Sequence, residues 1–553
     1  MLGRKDAAAI FIISVAFFLF AIFNLGAARV PSTSWHLKPE DVYITFPQNT
    51  SVGLLNFYIN SEYNVSAVVF QKTVEGWKTA GYVNKAGYYK WISLQDLNVV
   101  TDSLKIHFLV GEEIYEVGAV DENGATIPII ESRGSDPLDI HVSRLFDEQG
   151  LIEYPPTFFS QTYFDEIYFV RAAQDYLAQR EAFEWTHPPL GKLILAAGIS
   201  LFSFSPLGWR LIGVIFATLM IPVVYVAGLV IFKTRFAACV SSFLLSLDFM
   251  HFTMSRIGTV DTFLVFFSTT SILFFYLNYE QMSKSGGVKP RYICLGSLFA
   301  SLAICVKWTA AFEVAGQVIL MVLATLIASP GAGNVLAKLK SLVRHLLMTL
   351  FSFIFGGLVY FLTYLPYLAI GHTFGDIINL QIQMLGFHSG LPPEHHFASS
   401  WVTWPLMLRP LRFSMIYFPG DLISIISAMG NPAIWWFGLA AVLIALLMGI
   451  KERKPNFIFL VVLYLSQLLP YALITRDTYI YHYYPEVPLL VLIIAGLLGE
   501  FWVERGSRKY VVLYLLAVAI AFFAFYPVIS GYPTPTWYIT WIKWFQAWDF
   551  LGV

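Results

Sequence analysis

Two adjacent carboxylates, Asp165 and Glu166, are the residues whose type and position most directly suggest chemistry. They stand among aromatic residues at the start of the segment 163–192, where a polar stretch meets a long series of apolar runs. A carboxylate in apolar surroundings is costly unless it has a partner or a task. Neighbouring side chains on a helix point about 100° apart, so the two acids cannot share one proton as a facing pair. We predict that one is a general base towards a hydroxyl and that the other orients a substrate or fixes a backbone segment. Two solvated charges on an interfacial helix are the alternative.

Arg256 and Asp261 belong to the sequence SRIGTVD between two apolar runs. Gly258 allows a turn that directs both side chains towards one pocket. Arginine there suits an anionic lipid headgroup, because its guanidinium stays charged and binds phosphate through paired hydrogen bonds. The alternative is an ion pair between Arg256 and Asp261 that closes the loop.

Arg476 and His482 lie in the sequence TRDTYIYHYYPEVP at the mouth of another apolar run. They place a fixed cation and a titratable group where, together with Arg256, they could flank a phosphate. Anchoring to lipid headgroups is the alternative interpretation.

A metal site is not expected. The spacing of His388, Glu394, His395 and His396 matches no standard zinc pattern. The three cysteines lie inside apolar runs and are typical of small buried hydrophobic residues. We predict neither a metal nor a cofactor.

The composition places these groups in a membrane protein. Of 553 residues, 57% are hydrophobic and only 13% are charged, well below the charged fraction of soluble domains. Nothing indicates nucleic-acid binding. The run 193–205 would extend roughly 24 Å between its flanking prolines, too short to cross comfortably, so we interpret it as a juxtamembrane helix. Eleven spans are then predicted, at 7–28, 208–232, 236–254, 260–279, 292–307, 309–328, 346–370, 432–450, 456–474, 485–503 and 510–529.

The predicted topology collects the basic residues on one side, which the positive-inside rule makes cytoplasmic. The N-terminus is then cytoplasmic, and all the candidate site residues face outward. The residues that determine this orientation include Arg4, Lys5, Lys233, Arg235, Lys289, Arg291, Arg344, Lys451, Arg505 and Lys509.

A different pattern occupies residues 38–150. Alternating runs at 42–46, 54–60, 66–70, 104–110 and 114–120 are separated by turn signals and predict an extracytoplasmic β-sandwich of about 100 residues. Two glycosylation sequons begin at Asn49 and Asn64. The predicted parts of the chain are an N-terminal anchor at 1–37, this domain, an outer Asp-Glu loop at 151–207, a multi-span domain at 208–530 and a tail at 531–553.

Seven ordered blocks resemble one known family: FDEIYF, THPPLGK, SRIGTVDTFLVFF, CVKWTA, WVTWPLMLRP, GNPAIWW and RDTYIYHYYPEVP. They are similar to the protein O-mannosyltransferases, which are membrane glycosyltransferases of the GT-C fold. The resemblance covers roughly residues 155–530. It implies an inverting, metal-independent transfer of mannose from a polyprenyl or dolichyl phosphate to Ser or Thr hydroxyls of exported proteins.

The resemblance also implies roles for particular residues. Asp165 would be the general base, Glu166 would hold the acceptor peptide or its loop, and Arg256 would contact the donor. Arg476 and His482 are further phosphate-side candidates. His187, Lys192 and Asp261 are expected to support the site, with the His187 turn setting the juxtamembrane helix.

Two departures suggest an archaeal or bacterial form in a plasma membrane. The outer loop at 371–431 has no room for the trefoil insertion of fungal and animal members, and the β-domain precedes the acidic motif. Alternatives are a relative that transfers another sugar or uses a lipid acceptor, and a non-catalytic scaffold or transporter. A dimer is a further possibility that the sequence does not decide.

Overall fold

The computed structural model describes residues 2–285, 287, 289–327, 335–390 and 396–551. The chain consists of the helices of the membrane region, a β-domain inserted between the first and second helices, and three further strands towards the C-terminus. The helices are α1 (Arg4–Ile22), α2 (Glu166–Leu177), α3 (Leu190–Phe202), α4 (Pro206–Phe232), α5 (Arg235–Ser246), α6 (Phe249–Ser255), α7 (Asp261–Ser285), α8 (Pro290–Val306), α9 (Ala311–Ile327), α10 (Val335–Leu362), α11 (Leu365–Ala369), α12 (Phe374–Gly390), α13 (Pro432–Lys451), α14 (Pro455–Leu468), α15 (Val487–Val503), α16 (Arg508–Ser530) and α17 (Thr536–Ile542). The strands are β1 (Trp35–His36), β2 (Glu40–Val52), β3 (Leu54–Thr73), β4 (Gly76–Leu94), β5 (Val99–Val110), β6 (Glu113–Val120), β7 (Thr126–Ile127), β8 (Glu131–Gly134), β9 (Leu411–Phe418), β10 (Leu422–Ala428) and β11 (Thr534–Pro535).

The long helices make the chain an integral, polytopic membrane protein. Within the described ranges, eight helices are long and apolar enough to cross a membrane, and the pair α5–α6, bent by 57°, makes nine. The predicted spans 292–307 and 309–328 correspond to shorter apolar helices, Pro290–Val306 and Trp308–Ala324, so the total of eleven stays a prediction. Helix α3 has 13 residues, about 20 Å, which is too short to cross a hydrocarbon core of about 30 Å.

Local sequence explains where the helices begin. Ser205 caps α4 by accepting a hydrogen bond from the Gly208 backbone N–H at 3.2 Å, and Pro206 occupies the first helical position, where no backbone N–H is needed. Asp248 caps α6 in the same way at His251 N, which restarts the helix after the bend. The apolar sequence of α15 is explained by its central position, since every residue from Val487 to Leu498 is buried.

The predicted β-domain is present, and its strands form one bent, hydrogen-bonded sheet around a core of its own. The strand order is β1-β6-β3-β5-β2-β8. Residues 54–60 of β3 pair with β6 and residues 66–71 pair with β5, whereas β4 follows the other edge of β3. The runs predicted as two strands at 54–60 and 66–70 are therefore one strand with bulges, which bend a sheet. Strand β4 was not predicted, because its first half is mostly exposed and shows no apolar alternation.

A second, three-stranded sheet joins two parts of the chain that were predicted separately. Strands β9 and β10 come from the loop between α12 and α13, and β11 comes from the C-terminal tail. The buried indole of Trp548 donates a hydrogen bond to the Met407 carbonyl at 2.7 Å. The tail is thus packed against the loop that follows α12.

Candidate active site

Glu166 is buried and fully engaged with the protein. Its two carboxylate oxygens accept hydrogen bonds from Arg210 Nε and Nη2 at 2.7 and 2.8 Å. Backbone N–H groups of Gly258 and Tyr163 donate at 2.8 and 3.2 Å. With four hydrogen bonds and no exposed surface, Glu166 fixes the backbone on which the site is built. These contacts favour the part of the prediction in which Glu166 holds a loop.

Gly258 is needed for this arrangement because of close contact rather than chain flexibility. A Cβ atom at this position would lie 2.9 Å from Trp209 Cδ1 and 3.4 Å from Glu166 Oε1. The glycine therefore lets the backbone N–H approach the buried carboxylate.

Arg210 was missed by the sequence analysis, although a charge in the first turns of a predicted span was a usable signal. Its side chain is completely buried. Besides Glu166, it donates to three backbone carbonyls at 2.8–2.9 Å, namely those of Leu25, Phe158 and Gln161. Arg210 thus joins the segment after α1, the segment before α2, and α4 at one point.

Arg256 binds the protein backbone and not a ligand position. Its guanidinium donates four hydrogen bonds of 2.6–3.3 Å, all to backbone carbonyls, and the residue is 4% exposed. The structure therefore gives Arg256 a structural role in place of the predicted donor contact. Arg256 also accounts for the end of α1 at Ile22, whereas the predicted span continued to residue 28. The end of the helix leaves the carbonyls of Ala21, Phe23 and Asn24 available, and Arg256 donates to all three. Its fourth acceptor is the carbonyl of Ser530.

Asp261 pairs with Lys307 and not with Arg256. Lys307 Nζ lies 2.9 Å from Asp261 Oδ1, and both side chains are about nine-tenths buried. The alternative prediction of an Arg256–Asp261 pair is wrong, because the Arg256 guanidinium donates its hydrogen bonds to four backbone carbonyls. Lys307 stands between two apolar runs, a position that indicates function but not the identity of the partner.

Asp165 is the exception among the acids of this region. Glu166, Glu184 and Asp261 each form an ion pair, whereas the Asp165 carboxylate has no hydrogen bond or ion pair with the residues that the structure describes. The residue before it, Phe164, has φ of 48°, an uncommon value for a bulky residue, and its ring stacks on Phe413 with centroids 4.2 Å apart. The turn is thus held by aromatic packing while the carboxylate is left available.

The surroundings of Asp165 bring its pKa into the physiological pH range. Burial and the neighbouring Asp261 carboxylate raise the pKa of Asp165, Lys307 opposes the shift, and the resulting pKa is about 7. A carboxyl group with a pKa near 7 is well matched to proton transfer at neutral pH. Because Lys307 acts on Asp165 and also lines the adjacent cavity, it connects the two.

That cavity has a volume of about 420 Å³ and is suited to an anion with an apolar extension. Among the residues that the structure describes, its charged and titratable side chains are His187, Lys307, His388 and Arg476, and none of its lining residues is a carboxylate. The guanidinium of Arg476 has no partner among the described residues. The remaining lining residues are Thr186, Pro188, Trp308, Thr309, Phe312, Leu385, Ser389, Leu473, Ile474 and Thr475.

One wall of the cavity is a turn that is held in place by a buried ion pair between Lys192 and Glu184. Lys192 Nζ donates to Glu184 Oε2 at 2.7 Å and to the carbonyls of Glu184 and His187 at 2.6 and 2.7 Å. His187 Nδ1 lies 2.9 Å from Glu184 Oε1, and Lys192 and His187 together hold the pKa of Glu184 well below its usual range. Lys192 and His187 therefore set the start of α3 and the wall of the site.

His388 belongs to this wall as well. Its Nε2 donates to the Thr186 carbonyl at 2.8 Å, while Nδ1 is buried and has no hydrogen-bond partner in the described part of the chain. Burial lowers its pKa to about 4, so the ring is neutral at pH 7. Glu394 and His395, from the group considered for a metal, lie outside the described residues.

His482 is packed among aromatic rings and does not line the cavity. The ring is buried and lies nearly parallel to Tyr481 and Trp404, with centroids 4.5 and 6.0 Å apart. The structure brings His482 near the site, and its contact with a phosphate stays a prediction.

Comparisons with known proteins match most of the chain. Residues 205–367 match the family model described as dolichyl-phosphate-mannose-protein mannosyltransferase, and residues 373–548 match the C-terminal four-transmembrane region of protein-O-mannosyltransferase. Both matches begin after the β-domain and the Asp165 segment.

Curated relatives and one solved structure agree with this. The polyprenol-phosphate-mannose–protein mannosyltransferase of Corynebacterium glutamicum is 25% identical over 425 residues, which cover 66% of this chain and 81% of the relative. The enzyme of the same name from Mycolicibacterium smegmatis is 24% identical over 424 residues, with the same coverage. The Saccharomyces cerevisiae Pmt1–Pmt2 complex bound to the sugar donor has a TM-score of 0.61 at 12% identity, covering 70% of this chain and 89% of that chain. The last similarity concerns the fold.

Proposed function

Because this chain belongs to the protein O-mannosyltransferase family, we propose that it transfers mannose from a polyprenyl-phosphate mannose to Ser or Thr hydroxyls of exported proteins. One observation carries the assignment of the site. Asp165, the acid without a described partner, interacts electrostatically with Lys307, which lines a cavity whose described lining holds two fixed cations and no acid. A hydroxyl nucleophile needs a base, and a phosphate leaving group needs positive charge.

The proposed reaction is a single displacement. Asp165 takes the proton of the acceptor hydroxyl while the hydroxyl oxygen bonds to the anomeric carbon of mannose. The bond between that carbon and the phosphate oxygen breaks, and its electron pair goes to the lipid phosphate. Since the other described acids nearby are engaged in ion pairs, none of them is placed as a covalent nucleophile, and one displacement inverts the configuration.

Lys307 and Arg476 are proposed to bind the phosphate and stabilise its increased charge without a metal or cofactor. The apolar lining, including Phe312, Leu385 and Leu473, suits the first isoprenes of the lipid.

The deciding experiment uses purified chain, polyprenyl-phosphate mannose and a Ser/Thr peptide in the presence of EDTA, with the product identified by mass spectrometry. A hexose on the peptide hydroxyl supports the proposal. Transfer only to a lipid, transfer of a different sugar, or transfer that requires added divalent ions would each refute a stated part of it.

The pH dependence of transfer follows from Asp165. A base must be deprotonated, and its pKa is about 7, so the rate rises with pH through 7 and reaches a plateau above pH 8. At pH 6 about a tenth of the plateau rate is expected. The measurement is the initial rate at saturating donor and peptide between pH 5.5 and 8.5, with the folded fraction checked at each pH. A flat profile below pH 7 would contradict the assignment.

Replacing Arg476 with glutamine should weaken use of the donor. Loss of a charged hydrogen bond to phosphate costs about 1.5–3 kcal/mol, so kcat/KM for the donor falls about 10- to 150-fold. Arg505→Gln, an exposed arginine of the α15–α16 connection, is the matched control and should behave as wild type. Equal donor kinetics in the two variants would remove Arg476 from the phosphate site.

The orientation is also proposed. Basic residues lie in the connections after α4, α13 and α15, at the helix ends opposite those that lead to the β-domain side, which supports a cytoplasmic N-terminus and an external active site in a plasma membrane. Labelling of a cysteine introduced at the exposed Glu75 from outside intact cells tests this. Dimerisation stays a prediction, to be tested by mass measurement in detergent.

A further inference from the structure

Three carboxylates meet at the base of the β-domain, outside the proposed active site. Glu116 lies on β6, and Asp147 and Glu148 lie in the segment that leaves the domain. Their potential ligand oxygens all lie within 4.8 Å of one another. Among the described residues, none of the three forms a salt bridge, so their charges are not balanced by a lysine or arginine.

Glu116 makes this cluster more than a group of surface acids. Its side chain is completely buried. One oxygen, Oε2, accepts a hydrogen bond from the Glu148 backbone N–H at 2.9 Å, whereas Oε1 is buried without a partner among the described residues. A buried carboxylate that has one unpartnered oxygen and lies close to two further acids is costly and calls for a proton or a cation.

The surrounding polar groups hold the two outer acids in place. Glu148 accepts hydrogen bonds from the backbone N–H groups of Ser32 and Thr33 at 2.6 and 3.1 Å. Thr33 Oγ1 donates to Asp147 Oδ1 at 2.8 Å. The cluster therefore joins the segment that enters the β-domain from α1 to the segment that leaves it towards Asp165.

We propose that these three residues form a Ca²⁺ site that fastens the two connections of the β-domain. Ca²⁺ prefers carboxylate oxygens at 2.3–2.6 Å and takes six to eight ligands. Two oxygens bound to one such ion can be up to about 5 Å apart, which accommodates the observed spacing. The carboxylates supply the charged ligands, and water supplies the rest.

The test compares the full-length wild-type chain in detergent with Glu116→Gln, after removal of metals by EDTA and dialysis. Glutamine resembles the protonated acid, so the variant should fold without Ca²⁺ as the wild type does. We expect calorimetric titration at pH 8 to show one Ca²⁺ per wild-type chain and an affinity lower by at least about tenfold in Glu116→Gln. Addition of Ca²⁺ should raise the Tm of the wild type and leave that of Glu116→Gln unchanged. Glu75→Gln, an exposed acid on the β3–β4 turn, is the control and should bind as wild type.

Absence of Ca²⁺ binding by the wild type, or equal binding by Glu116→Gln, would overturn the proposal. So would tighter binding of Mg²⁺ than of Ca²⁺. If Glu116→Gln does not fold, Asp147→Asn, at an exposed position, takes its place with the same expected loss of affinity. The transfer rate per folded molecule should not depend on Ca²⁺, which separates this site from the reaction.

Discussion

Replacing Asp165 with asparagine is expected to lower mannosyl transfer by about 10²- to 10⁴-fold, the usual contribution of a general base. The folded yield should not change. The Asp165 carboxylate has no described hydrogen bond to lose, and asparagine removes the cost of burying a charge beside Asp261. The measurements are the initial rate of transfer to a Ser/Thr peptide and the Tm of the purified variant.

The matched control for this prediction is Glu181→Gln. Glu181 belongs to the same segment, its side chain is 69% exposed, and its Oε1 lies 3.7 Å from His372 Nε2. It should transfer mannose at the wild-type rate. If Asp165→Asn also transferred at that rate, Asp165 would not be the base, and the acid that performs this role would have to be sought elsewhere.

Replacing Glu166 with alanine is expected to lower the stability of the folded protein, and not only its transfer activity. The change leaves the buried Arg210 guanidinium without its counter-charge and the Gly258 and Tyr163 N–H groups without their acceptor. Removal of one partner of a buried ion pair costs about 3–5 kcal/mol, a large part of the stability of a typical domain. We expect a marked fall in Tm and in the yield of folded protein from membranes.

The neighbouring variant Asp165→Asn is the natural comparison, because it differs by one position and predicts the opposite pattern. Asp165→Asn should be folded and inactive, whereas Glu166→Ala should be unstable. A Glu166→Ala protein with wild-type Tm and no activity would contradict the structural role that we assign and restore Glu166 to the chemistry.

Asp165 and Glu166 illustrate how far the sequence reaches into the site. Adjacent positions on a helix excluded a shared proton, and this was enough to predict different roles. Which role belongs to which residue depends on Arg210, which is 44 residues from Glu166 in sequence and approaches it only when α4 packs beside the start of α2. No local spacing encodes that contact.

The sequence by itself determined the membrane character, the positions of most spans, the existence of a β-domain and the importance of the Asp165 segment. These depend on apolar length, alternation and residue type, which are local properties. The tertiary structure decided the partners: Lys307 for Asp261, backbone carbonyls for Arg256, and stacked aromatic rings for His482. It also decided that β3 is one bent strand and that β4 follows its exposed edge. A buried charge binds whichever complementary group the packed helices bring within about 3 Å, and that group is set by the three-dimensional fold and not by distance along the chain.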